Sequence, residues 1–263
     1  MRRTRKTRKL LTIALTGVVA VGLVGCGSSG DKASNGKKVV TVEIATSPDY
    51  PPYESLDKKG NIIGFDADMV KYLDKAMDTK DTDYKFHWNQ MSFDNIISQI
   101  QADQVDLGVS GFTYDKKRKV EWSNPYTATA QVAVVAKNSA INSPKDLEGK
   151  KLAAQAGSTG EEAAKSVKGA QVSTVKNAQQ IFPALTAGQY DAIIVDLAVA
   201  NEYAKNGAYK VLDQSLLDEK NYIIAKQGNK DLIKAVNAGL KKFMASDDYK
   251  TLTDKYGLKA YKA

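Results

Sequence analysis

Two residues of opposite charge carry the clearest possibility of chemistry in this 263-residue chain, Arg118 and Asp196. Arg118 follows the small-residue turn Ser110-Gly111-Phe112-Thr113, and Asp196 directly follows the apolar run Ala192-Ile193-Ile194-Val195. A guanidinium forks a carboxylate with two parallel N–H donors, and a carboxylate takes an ammonium. A third element is Gly157-Ser158-Thr159-Gly160-Glu161, a turn that opens a helix after the strand-like Lys151–Gln155. Free N–H groups and hydroxyls there would face an anion. It is not a nucleotide loop, since the Gly-Lys-Ser/Thr ending is missing. Ser110 and Thr113 offer hydroxyls and their turn offers carbonyls, while Tyr50 and Phe93 offer aromatic walls. Together these meet what a free α-amino acid asks of a protein. Each also has a plainer use. Arg118 lies in the charge run Lys116-Lys117-Arg118-Lys119, which alone reads as solvated surface, and Asp196 suits the cap of a helix beginning at Leu197. Ser158 and Thr159 suit caps too, Phe93 suits a core, and Tyr50 suits a brace for a proline turn. His87, between Phe86 and Trp88, reads as structural.

The elements that must position these residues alternate. Val39–Ile44 is β-branched and reads as a strand. Phe65 to Met77 carries apolar residues at Phe65, Met69, Val70, Leu73 and Met77, a helical spacing with Asp66 as its expected N-cap. Tyr84–Trp88 reads as strand, Phe93–Ile100 as helix and Val105–Val109 as strand. Alternation of this kind predicts a mainly parallel sheet with helices on its faces. A weak repeat lays Ile100–Ser110 on Leu185–Val195, with Gly111 and Asp196 next in the two copies. Two similar α/β lobes follow, with both residues just outside the carboxyl ends of strands, where open sheets collect ligands. Tyr222–Ala225 reads as a strand. A helix with the stripe Leu232, Val236, Leu240 and Phe243 follows, and then a shorter helix over Tyr249–Tyr256.

Charge and cysteine usage bound the function. The chain has 38 Lys or Arg and 30 Asp or Glu, formally +8. The six basic residues before Cys26 account for most of this excess, leaving 32 against 30, so a nucleic-acid partner is not expected. Cys26 is the only cysteine and His87 the only histidine. That excludes an intrachain disulfide, a thiolate metal site and a multi-histidine site, and no cofactor is expected. Before Cys26 a basic start leads into the apolar run Leu10–Val24, too short for a comfortable span of about 20 residues. This is an export signal. With Leu23-Val24-Gly25-Cys26 it resembles the lipobox of bacterial lipoproteins, which implies a lipid-bearing, palmitoylated Cys26 followed by a polar tether.

The order of landmarks adds a second resemblance. Tyr50-Pro51-Pro52-Tyr53-Glu54, Gly64-Phe65-Asp66-Ala67-Asp68, Val105-Asp106 with Ser110–Thr113, Trp122–Tyr126, Lys145–Lys150, Gln155–Thr159 and Asp191–Asp196 stand in one series. Over nearly all of the chain beyond the tether this resembles the polar-amino-acid family of periplasmic-type solute-binding proteins, the capture subunits of ABC importers. The resemblance implies a type II, two-lobed α/β fold with two hinge crossings. Residues 1–25 would be signal, 26–37 tether, 38–128 and 221–263 the first lobe, and 129–220 the second. It implies that Arg118 forks a ligand carboxylate with Thr159 and Ser158 assisting, and that Asp196 takes the ammonium. Ser110, Gly111 and Thr113 would line the first-lobe turn, Tyr50 and Phe93 the walls, and Gln155 and Ser47 the side-chain end. The segment from Arg118 to Trp122 is about two residues shorter than the family pattern, which leaves Lys116 as a competitor for the carboxylate. Basic-amino-acid binders often carry an acid where Ser47 stands. The expected partners are a polar amino acid and the permease and ATPase subunits. The chain is expected as a monomer held by lipid at the extracytoplasmic face, and as a binder, not an enzyme. The alternative is a dehydratase on the same fold acting on a prephenate-like acid, for which Asp49 and Glu54 are the nearest acids.

Overall fold

The protein is described here by a computed structural model over residues 36–262. The signal, Cys26 and nearly all of the tether lie outside the described residues. Strand β1 (Lys38–Thr46) is followed by the ribbon β2 (Ser55–Leu56) and β3 (Ile62–Ile63), helix α1 (Phe65–Ala76), β4 (Thr82–Gln90), α2 (Phe93–Gln101), β5 (Leu107–Gly108) and β6 (Val120–Trp122). Then come β7 (Thr127–Ala136), β8 (Lys151–Gln155), α3 (Thr159–Ser166), β9 (Gln171–Val175), α4 (Ile181–Thr186), β10 (Ala192–Asp196), α5 (Leu197–Ala204), β11 (Tyr209–Val211) and β12 (Leu217–Asn221). The last elements are β13 (Ile224–Lys226), α6 (Lys230–Met244), α7 (Asp247–Tyr256) and β14 (Lys259–Ala260).

These strands make two main sheets. The first has the order β4-β1-β5-β13-β6, and the second β11-β7-β10-β8-β9 with β12 and β14 also on β7. Each keeps a parallel block, β4-β1-β5 and β10-β8-β9. Antiparallel strands extend each block: β13 in the first sheet and β7 in the second. The chain passes between the sheets from β6 to β7 and from β12 to β13, and it returns to the second sheet once more after α7, where β14 pairs with β7.

Alternation along the strands sends successive side chains to opposite faces. In β1, Val42 and Ile44 join Phe65, Met69, Leu73, Val236, Leu240 and Phe243 of α1 and α6. Ala45 faces the other way, toward Phe93, Ile96 and Ile100 of α2. In the second sheet Ala133, Val135, Ala192 and Ile194 meet α3, whereas Val132, Val134, Ile193 and Val195 meet α4 and α5. Each fully buried Leu, Ile, Val or Phe side chain contributes about 1.5–3 kcal/mol, so both layers are fixed by their apolar stripes. Among the described residues, no helix is long and apolar enough to cross a membrane.

Local readings are corrected in places. The N-cap of α1 is Gly64, at φ 127°, where an added Cβ would sit 2.3 Å from Tyr53 O. Asp66 lies inside the first turn, fully buried, and accepts from Gly111 N–H and Tyr126 O–H. The strand expected over Val105–Val109 is shorter, Leu107–Gly108, flanked by the Asp106 N–H to Glu43 O bond at 2.8 Å and the Val109 N–H to Ala45 O bond at 3.0 Å. Tyr222 and Ile223 form the second crossing and not a strand, and the polar β12 before them is unforeseen.

Candidate functional site

Arg118 leaves the loop after the Ser110–Thr113 turn and reaches over two rings. Phe93, the first residue of α2, stacks on Phe112 at 4.6 Å between centroids. The guanidinium carbon stands 5.7 and 5.4 Å from those two centroids, an attractive cation–ring arrangement. Its Nη1 donates to Thr113 O at 3.0 Å and its Nη2 to Gly157 O at 2.8 Å. The first bond is local and the second joins the loop after β8 of the other sheet. Burial lowers the guanidinium pKa, while Asp115, Glu219 and Glu162 act to raise it. Lys116, its sequence competitor, is exposed.

The glycine turn is occupied differently from its sequence reading. Gly157 N–H donates to Glu161 Oε2 at 2.7 Å, and Ser158 Oγ caps α3 by accepting from Glu161 N–H at 3.1 Å. Those two groups serve the helix, so they are not free to face an anion. Thr159 is the residue that looks across. Its Oγ1 lies 2.7 Å from Thr113 Oγ1, 2.9 Å from Glu219 Oε2 and 3.3 Å from Gln131 Nε2.

Asp196 ends β10 and caps α5, the plainer of its two sequence readings. Oδ1 accepts from Ala198 N–H at 2.9 Å and from Tyr53 O–H at 3.0 Å, and Oδ2 accepts from Thr129 O–H at 2.7 Å. It is 2 % exposed. Burial pushes its carboxyl up to about 6, against the hydrogen bonds that favour the charged form. Tyr50, stacked beside Tyr53, accepts the Asp196 N–H on its hydroxyl at 3.1 Å. Tyr53 and Tyr50 come from the first body of chain and Asp196 from the second sheet.

Arg118 and Asp196 do not touch, yet they face one seam. Gln131 lies directly opposite Asp196 in the β7–β10 ladder and reaches Thr159, which meets Thr113, whose carbonyl holds Arg118. At the far end of the seam Ser47 and Gln155 meet on Asp49. Ser47 Oγ donates to Asp49 Oδ1 at 2.7 Å, and Gln155 Nε2 lies 3.1–3.2 Å from both carboxylate oxygens. Ala178 N–H donates to Oδ2 at 2.6 Å. Burial raises the Asp49 pKa.

Two members of the first-lobe turn point elsewhere. Ser110 Oγ–H donates to Glu54 at 2.8 Å and accepts the Ser47 N–H at 3.1 Å. Its hydroxyl therefore serves the scaffold. Gly111 N–H goes to Asp66 and Gly111 O accepts from Asn221 at 3.0 Å. Thr113 alone of this turn directs a hydroxyl to the other sheet.

Sequence reasoning missed three groups at the seam. Glu219 accepts from Gln131 and Thr159, with Oε1 buried and unpartnered, and burial raises its pKa. Asn221, fully buried, binds Gly111, Thr127 and Tyr53. Both belong to β12, where alternate polar residues carried no apolar signal. Asp49 was visible within Ser47–Tyr53 but its partners come from positions 155 and 178, far along the chain. No group of three or more metal-ligating side chains occurs among the described residues.

Comparison with known proteins follows this geometry. The family model for bacterial extracellular solute-binding proteins, family 3, matches residues 42–169 and 158–259. The chain is 30% identical over 251 residues to a probable histidine-binding protein of Neisseria gonorrhoeae, covering 90% of this chain and 91% of that one. It is 29% identical to the arginine-binding extracellular protein ArtP of Bacillus subtilis, covering 95% and 98%. Among solved structures, an ancestral arginine-binding protein bound to arginine superposes with a TM-score of 0.76 at 32% identity, covering 82% of this chain and 97% of that one. An ancestral amino acid-binding protein described as a precursor of cyclohexadienyl dehydratase gives 0.75 at 32% identity, covering 82% and 95%. These solved structures are type II periplasmic amino-acid-binding proteins, and this chain, mixed α/β with two sheets, shares their two-lobed fold. The chain is a member of the bacterial extracellular solute-binding proteins, family 3.

Proposed function

We propose that this protein captures a polar amino acid in the seam between its two sheets and delivers it to the permease and ATPase of an ABC importer. The observation that carries this is the placement of Arg118 and Asp196 along one connected seam, each bonded to the opposite half. Arg118 would fork the ligand carboxylate, with Thr113 and Thr159 beside it. Asp196 would take the ammonium, between Tyr50 and Tyr53. Ser47, Gln155 and Asp49 would meet the side chain, and Phe93 would support the cation. Ser110, Gly111 and Ser158 would act through the backbone. The first lobe would comprise 38–128 and 221–263, the second 129–220. A ligand touching both lobes is held better when they are shut and shifts the population accordingly.

The reading is a binding protein and not an enzyme. A proton donor for a dehydratase would have to be a free acid in the seam. Asp49 already accepts three neighbouring donors, Glu219 accepts from Gln131 and Thr159, and Glu54 lies beneath the Ser110 turn. Cys26 would carry the lipid that holds the chain, as a monomer, at the extracytoplasmic face. Its support is the basic start, the apolar run and Leu23-Val24-Gly25-Cys26. Titration calorimetry with each of the twenty amino acids tests the function. Micromolar or tighter binding of a polar one is expected, and no heat from any of them refutes it.

A further inference from the structure

Beneath the proposed ligand turn lie two carboxyl groups with no cation. Glu54 and Asp66 are both fully buried. None of the ion pairs among the described residues includes either one. They grip consecutive residues of one turn. Glu54 Oε1 accepts from Ser110 Oγ–H at 2.8 Å, and Asp66 Oδ2 accepts from Gly111 N–H at 3.1 Å. Asp66 also accepts from Tyr126 O–H, at 3.0 and 3.2 Å from its two oxygens. The remaining oxygen, Glu54 Oε2, is buried and meets no N–H or O–H donor. Because Ser110 and Gly111 are consecutive, these bonds bring the two carboxyls to one place, and each shifts the other's titration.

Two bare carboxylates side by side in such a place would repel each other strongly, and neither could be solvated. One proton between them removes a charge and supplies the donor that Oε2 lacks. We propose that Glu54 and Asp66 share one proton, carried on Glu54 Oε2 and donated to Asp66, and that this acid pair positions the Ser110-Gly111 turn. Both are positioning residues. They set where the Gly111 amide and the turn's carbonyls stand without touching a ligand.

The surroundings agree. The other titratable groups facing the pair are Tyr126, Tyr53 and Asp49, with Asp196 beyond Tyr53, and all are acids. Burial, then the Asp66 charge, holds Glu54 well above the ordinary carboxyl range. Burial raises Asp66 to about 6, while Gly111, Glu54 and Tyr126 favour its charged form. The proton therefore resides on the glutamate, and the pair titrates as one unit.

The test needs no amino acid, so its failure and that of the transport reading are separable. Infrared spectroscopy of the chain at neutral pH should show a protonated-carboxyl C=O band that Glu54→Gln removes. Asp66→Asn should move the Gly111 amide resonance in nitrogen–proton NMR spectra. Glu54→Gln should leave that resonance in place, since the amide N–H replaces the shared proton and the amide oxygen still accepts from Ser110. Raising the pH of the wild-type chain should erase the band and shift Gly111 in one transition, a measurement that holds even where a variant fails to fold. A band that persists in Glu54→Gln, no band in the wild type, or a wild-type Gly111 resonance that stays in place while raised pH erases the band each overturns the proposal.

Discussion

Thr113 and Thr159 bring their hydroxyls to 2.7 Å of each other from opposite sheets. The contact lies beside Arg118, and it has Glu219 on its flank. On the proposed reading, a ligand carboxylate forked by Arg118 would lie beside these hydroxyls. The same contact would then tie anion recognition to the approach of the two sheets.

Arg118→Ala should abolish most of the binding. Removing the cation leaves the ligand carboxylate and the Thr113 and Gly157 carbonyls without donors, at a cost of about 3 kcal/mol or more. That is a loss of roughly 100-fold in affinity. Arg118→Lys should recover only part of it, because an ammonium cannot fork. Calorimetry with the amino acid found in the twenty-member panel reads both, and an unchanged affinity in Arg118→Ala removes Arg118 from the site.

Asp196 opposes stability at neutral pH. Its native pKa, about 6, lies above its ordinary value of 3.8, so the folded state binds more protons than the unfolded one between those limits. Stability from this group is thus fully present below the lower value and declines as pH rises through the upper one. The difference corresponds to about 3 kcal/mol as an order of magnitude. Asp196→Asn should raise the melting temperature near neutrality and flatten its pH dependence between pH 4 and about 6, while weakening amino-acid binding. A melting curve that keeps the wild-type slope assigns it to other groups, of which Asp66 is the first to try.

Asp49→Ala should loosen closure. The carboxylate joins the loop after β1 to Gln155 and to the Ala178 N–H of the other half. Loss of a capping acceptor of this kind costs about 1 kcal/mol, hence roughly tenfold or less in affinity. Small-angle scattering with saturating amino acid should show a larger mean radius than wild type. An identical radius and affinity leave Asp49 with no part in closure.

Gly64→Ala should destabilise the first lobe by about 2 kcal/mol or more, because a Cβ there meets Tyr53 O at 2.3 Å and the backbone is at φ 127°. Gly188, at φ 74° with open space around it, isolates the backbone term. Its alanine variant should cost only about 1 kcal/mol. Urea unfolding compares the pair, and equal losses refute the packing account.

Cys26→Ala should release the chain from the membrane into the medium and end labelling by radioactive palmitate. Retention in the membrane fraction refutes the anchor.

The architecture was legible because its signals are local. Val39–Ile44, the Phe65–Met77 stripe and Ala192–Val195 each declare their element through neighbours in sequence. The places of Arg118 after a small-residue turn and of Asp196 at a strand end were legible for the same reason. What stayed hidden depends on pairing across the chain. Ser110 looked like a ligand hydroxyl until Glu54 claimed it. Gly157 and Ser158 looked open until α3 used them as its own caps. Asp66 resembled a cap because the Gly64 conformation that starts the helix has no side-chain signature. Glu219 and Asn221 sit in a polar strand whose burial comes from β7 alongside it and from the loops across the seam.

The β6–β7 and β12–β13 crossings between the sheets are stitched to each other, and β14 pairs with the same start of β7. Thr127 and Asn221 are ladder partners at the start of β7 and the end of β12, and Thr127 O–H donates to Asn221 at 2.7 Å. Any parting of the halves must bend both connectors as one ribbon, which resists swivelling about its long axis far more than folding across it. The movement is thus reduced to a single coordinate, like the leaf of a door. One pair of spectroscopic labels across the seam is enough to follow it.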